Sequence, residues 1–173
     1  MSNAVVLEKQ TVTLYSQISD TEINTLLHPF GLILNKIQAQ FAASELPAIP
    51  GSYWGESEAG LIKNNIYVRE DTPIHSLLHE ACHYICMDIE RRDKLNTDAG
   101  GDYDEENAVC YLQILLSDHL TEFNRNTMFT DMDIWGYSFR LGSAKRWFEQ
   151  DAQDAKSWLI SNNIINKNEQ LCF

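Results

Sequence analysis

The stretch His79-Glu80-Ala81-Cys82-His83 constrains this chain more than any other. On a helix two histidines four residues apart lie on one face, one ring above the other and a single turn away. The flanking residues agree with a helix. Leu78, Cys82, Ile85 and Ile89 form an apolar stripe on a different face, which would seat the segment against a core. Asp71 or Thr72 followed by Pro73 supplies a start, and the pattern runs on to about Asp88 or Arg91. Any fold this chain adopts must bury the stripe and leave the histidine side approachable.

Paired in this way, His79 and His83 can share one metal ion through their ring nitrogens. Glu80 projects beside them, where it can take a proton from a metal-activated water. Zinc in a catalytic site takes three protein ligands and keeps one open position. Downstream, Asp104-Glu105-Glu106-Asn107-Ala108-Val109 offers two acids on a second helix expected from about Asp104 to His119. Glu105 shares a face with Ala108, Leu112, Leu115 and Leu116, whereas Glu106 lies over Cys110, Gln113 and Ser117. A carboxylate on the inward face is costly unless it meets a cation, so Glu105 is the expected third ligand. His75 extends the histidine column, but His75 and His83 are about 12 Å apart along a helix, too far to share an ion. His28 and His119 have no supporting context.

Among 173 residues, 25 acids face 13 bases, a formal net charge of -12. Binding nucleic acid by displacing phosphate counterions, or binding an anionic membrane surface, needs the opposite balance, and neither is expected. No apolar run reaches the length of a membrane span, and the first ten residues lack the pattern of a signal peptide. The four cysteines, Cys82, Cys86, Cys110 and Cys172, have neither disulfide-framework nor zinc-knuckle spacing. Reduced thiols in a cytoplasmic protein are expected, with Cys82 and Cys86 packed as small apolar groups.

No repeat or linker divides the chain, so one domain over 1–173 is expected, with strands within about 1–70 and helices over about 71–173. A short helix from Asp20 to about His28 ends at Pro29 and Gly31. Leu32, Ile33, Leu34 and Ile37 suit a strand, while 38–44 suits a helix. Residues 60–68 read as two short strands, or one bent strand, around an Asn-Asn turn. Ser143 is expected to cap a long segment that buries Trp147, Phe148, Trp158 and Leu159. The fold class is α+β: a small mixed sheet, an active-site helix and a mostly helical C-terminal half.

The strand Asn65-Ile66-Tyr67-Val68, the His-Glu-x-x-His helix and a downstream helix opening Glu-x-x-Ala resemble the gluzincin branch of zinc metallopeptidases, in particular its compact SprT-like and ImmA-like members. The resemblance covers roughly Leu61 to Leu116. It implies a zincin-like fold and Zn2+ as cofactor, with His79, His83 and Glu105 as metal ligands and Glu80 as catalytic base. It also implies a peptide or protein substrate, which can add its backbone to an edge strand around Ile66 to Val68. Many gluzincins place an acid or amide four residues after the ligand glutamate. That position is Val109 here, so support for the metal is expected from Asp98, Asp102 or Asp104. Tyr137 and Arg140 are candidate oxyanion donors on chemistry alone. Two rival readings are a non-catalytic zincin-like metal-binding or protein-interaction module, and a helical interaction protein whose histidines are merely solvated.

Overall fold

In the computed structural model, which describes residues 11–38, 46–55 and 57–172, a three-stranded sheet lies beside a set of helices. The helix predicted for 38–44 falls almost wholly outside the described residues. Helix α1 spans Asp20–Leu27 behind Ser19, and a 3-10 turn, His28–Phe30, carries it to Gly31. Strand β1 is Ile33–Lys36, β2 is Gly60–Ile62 and β3 is Asn65–Val68, in the order β1-β3-β2. β3 runs parallel to β1 and antiparallel to β2. The 60–68 segment is therefore two strands, reversing through Lys63 (φ 52°) and Asn64.

This order corrects the reading of 65–68 as an edge. Both sides of β3 are hydrogen-bonded to neighbouring strands, and Ile66 and Val68 are fully buried. Backbone addition at β3 has no free donors or acceptors to use. The outer side of β2 is also engaged: Leu61 N donates to Gly51 O, Thr97 N donates to Leu61 O and Lys63 N donates to Leu95 O. The loop after residue 94 is thereby laid along the sheet.

The histidine-bearing helix α2 covers Ile74–Cys86. It starts one residue later than expected, with Pro73 at the cap position in extended conformation while the Thr72 hydroxyl accepts from Arg69 N. It also stops early. Met87 is extended and the Asp88 carboxylate accepts from Arg91 N, which opens a new helix α3, Ile89–Lys94. The apolar stripe consequently ends at Cys86, and Ile89 is exposed.

Helix α4, Tyr103–Ser117, is capped by Asp102, whose side chain accepts from Glu105 N. It packs against α2 on one side and against α7, Gln153–Ser161, on another. Every residue from Ala108 to Ser117 is buried in consequence. Between them lie α5, Arg125–Trp135, and α6, Ala144–Gln150, which Ser143 caps through Arg146 N. The expected long C-terminal segment is two helices, with Trp147 and Leu159 in the core and Phe148 and Trp158 packed against it. The core joins the inner sheet residues Leu61, Ile66 and Val68 to Leu77, Leu78 and Cys82 of α2 and to Leu112 and Leu116 of α4. Burying each such Leu or Ile is worth about 1.5–3 kcal/mol, so the α2–α4 contact is held mainly by apolar packing. Among the described residues no helix is long and apolar enough to cross a membrane.

Candidate metal centre

The contact between α2 and α4 is mostly apolar, and its polar groups gather toward the end that opens to solvent. There His79 and His83, one turn apart, bring their Nε2 atoms to 3.1 Å. Glu106 faces both: one carboxylate oxygen is 3.3 Å from His79 Nε2 and the other 3.4 Å from His83 Nε2. Ligand atoms at about 2.0–2.1 Å from a tetrahedral zinc are separated by about 3.3 Å; here the two Nε2 atoms and one Glu106 oxygen lie within 4.8 Å of one another, a group that could hold one ion. Two imidazoles and a carboxylate are also a donor set that zinc favours. Among the described residues this is the group of His, Cys, Asp and Glu whose ligand atoms converge closely enough to hold a metal.

Gln113 fixes the chemistry of the first ring. Its Nε2 donates to the His75 carbonyl at 3.3 Å and approaches Met128 Sδ at 3.6 Å. A carbonyl can only accept, so this end of the amide is the NH2 and the other end is oxygen. That oxygen, Oε1, lies 2.7 Å from His79 Nδ1 and can itself only accept. His79 must then carry its proton on Nδ1, an assignment made by the hydrogen-bond network. In the neutral ring the Nε2 lone pair is left pointing at His83 and Glu106. His83 has no such support, for its Nδ1 is buried without a partner among the described residues.

The electrostatics agree with a site for positive charge. Burial opposes charging His79, but Tyr137, Cys110 and Glu106 outweigh it and hold its pKa well above the usual value. Burial and the charge of His79 push His83 down to about 4. The pair therefore takes up one proton, not two. Burial raises Glu106, yet its bond to His79 and the two nearby rings bring it below the ordinary carboxylate range. Glu80 goes the other way, to about 7, chiefly through burial, with Glu58 and Glu106 adding to the rise against the opposing effect of His79. A carboxyl group titrating near neutrality can both accept and return a proton.

Glu105 is placed differently from the expectation. It is buried, as projected, but the cation it meets is Arg91: the guanidinium donates to its two oxygens at 2.7 and 2.9 Å. Arg91 also donates to Ala99 O at 2.7 Å, so the pair ties α3, α4 and the 97–101 loop together. Gly101 completes the fit. It has φ 100°, and a Cβ there would lie 2.8 Å from Glu105 Oε1. The structure thus gathers His79, His83 and Glu106, and leaves Glu105 outside the group. Sequence projection set Glu106 aside because Cys110, Gln113 and Ser117 on its face are polar. All three are buried against neighbouring helices.

The triad opens into a cleft of about 370 Å3. Its walls include Glu80, Glu58 and Asp98, the aromatic rings of Tyr53, Trp54, Trp135 and Tyr137, and His75. His75 is 1% exposed, with Nδ1 at 3.2 Å from the Tyr137 hydroxyl and Nε2 without a partner among the described residues. Burial and neighbouring His79 lower its pKa to about 3, so it stays neutral. Of the two oxyanion candidates, Tyr137 lines the cleft. Arg140 does not; it is paired with Asp151 at 2.7 Å. Asp102 serves as a helix cap, whereas Asp98 is on the cleft wall and close enough to His83 to influence it. His119 lies in a separate apolar groove beside Leu26 and Phe30. Cys82 and Cys86 are buried, and burial raises both thiols above their usual range, which makes them inert packing groups.

The chain matches no family model, no curated protein and no solved structure.

Proposed function

We propose that this protein is a zinc-dependent hydrolase of zincin type, acting on peptide bonds, with His79, His83 and Glu106 as the metal ligands. The observation that carries the reading is the convergence of the two Nε2 atoms, 3.1 Å apart, with the two Glu106 oxygens, one 3.3 Å from His79 and the other 3.4 Å from His83, at the mouth of a cleft that Glu80 also lines. The placement of a His-Glu-x-x-His helix between a small mixed sheet and a helix that supplies an acid also supports a zincin-like arrangement. The ligand assignment moves one residue, from Glu105 to Glu106.

When bound, zinc supplies a Lewis acid that polarises a water and the scissile carbonyl. The chain's own groups do the rest. Glu80 takes the proton of the attacking water and delivers it to the leaving nitrogen, a double duty suited to its pKa near 7. Gln113 keeps the His79 proton on Nδ1 and so keeps Nε2 available as a ligand. The Tyr137 hydroxyl, held by His75, is the cleft-lining donor available to a developing oxyanion. Trp135 packs against His75 at 4.9 Å and helps exclude water from that side.

The Glu80→Gln variant tests the proposal. It is expected to bind one zinc as tightly as the wild type and to lose peptide hydrolysis by at least about a thousandfold. Zinc binding without hydrolysis in the wild type would instead favour the non-catalytic metal-binding module. No zinc binding in either protein would overturn both readings.

A further inference from the structure

Exposed aromatic rings gather in one place on this protein. Among the described residues four Phe, Tyr or Trp side chains are exposed, Tyr53, Trp54, Tyr103 and Trp135, and three of the four line the cleft at the triad. Trp54 is 72% exposed, Tyr53 60% and Trp135 40%, although large rings are normally withdrawn from water. The three come from two separate parts of the chain, so closeness in sequence does not account for their grouping. An apolar patch gathered beside a cleft marks a surface that receives an apolar group.

One rim is a loop held at its base. Leu61 N donates to Gly51 O at 3.2 Å, and Ala59 N donates to Ser76 Oγ of α2 at 3.0 Å. Between these anchors Tyr53 and Trp54 meet edge to face, with centroids 5.1 Å apart and planes at 75°. Neither ring joins the apolar core of the described residues. The other rim is tied to that core. Trp135, the last residue of α5, packs on His75, while Tyr137 stacks on Phe139 and Phe139 on the buried Trp147. Both rims thus present ring surface that the protein itself does not use. Rings pair with other rings edge to face or offset, a geometry that an aliphatic group of equal area cannot exploit.

We propose that Tyr53, Trp54 and Trp135 form a substrate subsite for an aromatic side chain, so that the protein takes polypeptide segments carrying Phe, Tyr or Trp beside the bond at the metal; the inference rests on the metallopeptidase reading. The substrate ring covers apolar surface that Trp54 and Trp135 otherwise leave in water. Removal of that surface drives the recognition, and charge does not, so the preference persists at high ionic strength.

The test uses the zinc-loaded Glu80→Gln protein and three fluorescently labelled peptides that differ at one central residue, Phe, Leu or Ser. The Phe peptide is expected to bind about fivefold more tightly than the Leu peptide, and the Ser peptide to bind most weakly, in the same order at low and high salt. Trp54→Leu, at an exposed loop position, keeps apolar area without the ring and should lower the Phe preference at least about twofold. Adding Trp135→Leu should bring the Phe and Leu peptides within about twofold of each other. Equal affinities for Phe and Leu, no binding by any peptide, or a Phe preference undiminished by both substitutions would overturn the proposal. Failure of the hydrolase reading gives a different result: the Phe peptide binds preferentially and through these rings, yet the wild-type zinc protein cleaves none of the three.

Discussion

Two acids one residue apart on α4 serve two different regions. Glu105 belongs to a clip: it is 7% exposed, both oxygens are taken by Arg91, and the guanidinium goes on to hold Ala99. Glu106 belongs to an open centre: its side chain is 48% exposed, and its oxygens face two imidazole nitrogens with no other anion between them. The clip is complete within the chain, since a bidentate Arg–carboxylate pair satisfies itself. The centre gathers three donors that could hold a cation. Stability and chemistry are thus divided between neighbouring residues, about 100° apart around one helix.

Breaking each side separately should reveal that division. The largest effect is expected from Glu106→Ala, which removes one of the three proposed ligands and should weaken zinc binding by at least about a thousandfold, read by chelator competition. Glu105→Gln should leave zinc affinity within about threefold but lower the stability of the zinc-free protein by about 2 kcal/mol in chemical denaturation. Should the two variants exchange these phenotypes, Glu105 is the ligand after all.

Gln113→Leu sharpens the account of the centre. It fills similar space without the oxygen that fixes His79, so zinc affinity should fall about 10- to 100-fold. Gln113→Glu keeps that oxygen but loses the donor to the His75 carbonyl, so it should hold the His79 proton while lowering stability. Gly101→Ala probes the clip instead. A positive φ and the close approach of Glu105 should together cost about 1–2 kcal/mol, with zinc affinity unchanged.

The smallest effect is on pH dependence. His79 is raised above its ordinary value, so below that raised pKa the ring holds a proton that zinc must displace. His83, at about 4, and Glu106, lowered, add no competing proton near neutrality. Apparent affinity should therefore rise with pH, by roughly tenfold per unit, and level off once His79 is neutral. Calorimetry in two buffers of different ionisation enthalpy should give at least one proton released per zinc near pH 7, from His79, with a further fraction from Glu80, which titrates at about 7. Release of none would contradict the proton sharing deduced for the pair.

The sequence made some of this architecture readable and hid the rest for physical reasons. The histidine spacing and the adjacent stripe locate α2, and the acids before the next apolar run locate α4, because periodicity survives in a single sequence. The end of α2 was hidden because Asp88 can cap a new helix as well as continue an old one, and the choice depends on Arg91 N. Strand order was hidden because a four-residue strand carries no record of how many neighbours it has. The choice between Glu105 and Glu106 turned on the assumption that α4 has an outer, polar face. Packed between α2 and α7, beyond its first turn it has none. Glu105, as a buried acid, does meet a cation, and that cation is Arg91, fourteen residues earlier in the chain.

The central claim is the identity of the three ligands, and diffraction from zinc-soaked crystals at the zinc absorption edge tests it most directly. The account predicts one strong anomalous peak about 2.0–2.2 Å from His79 Nε2, His83 Nε2 and a Glu106 oxygen, with Glu105 still paired to Arg91. No peak at saturating zinc, or a peak bound by Glu105 in place of Glu106, would contradict it.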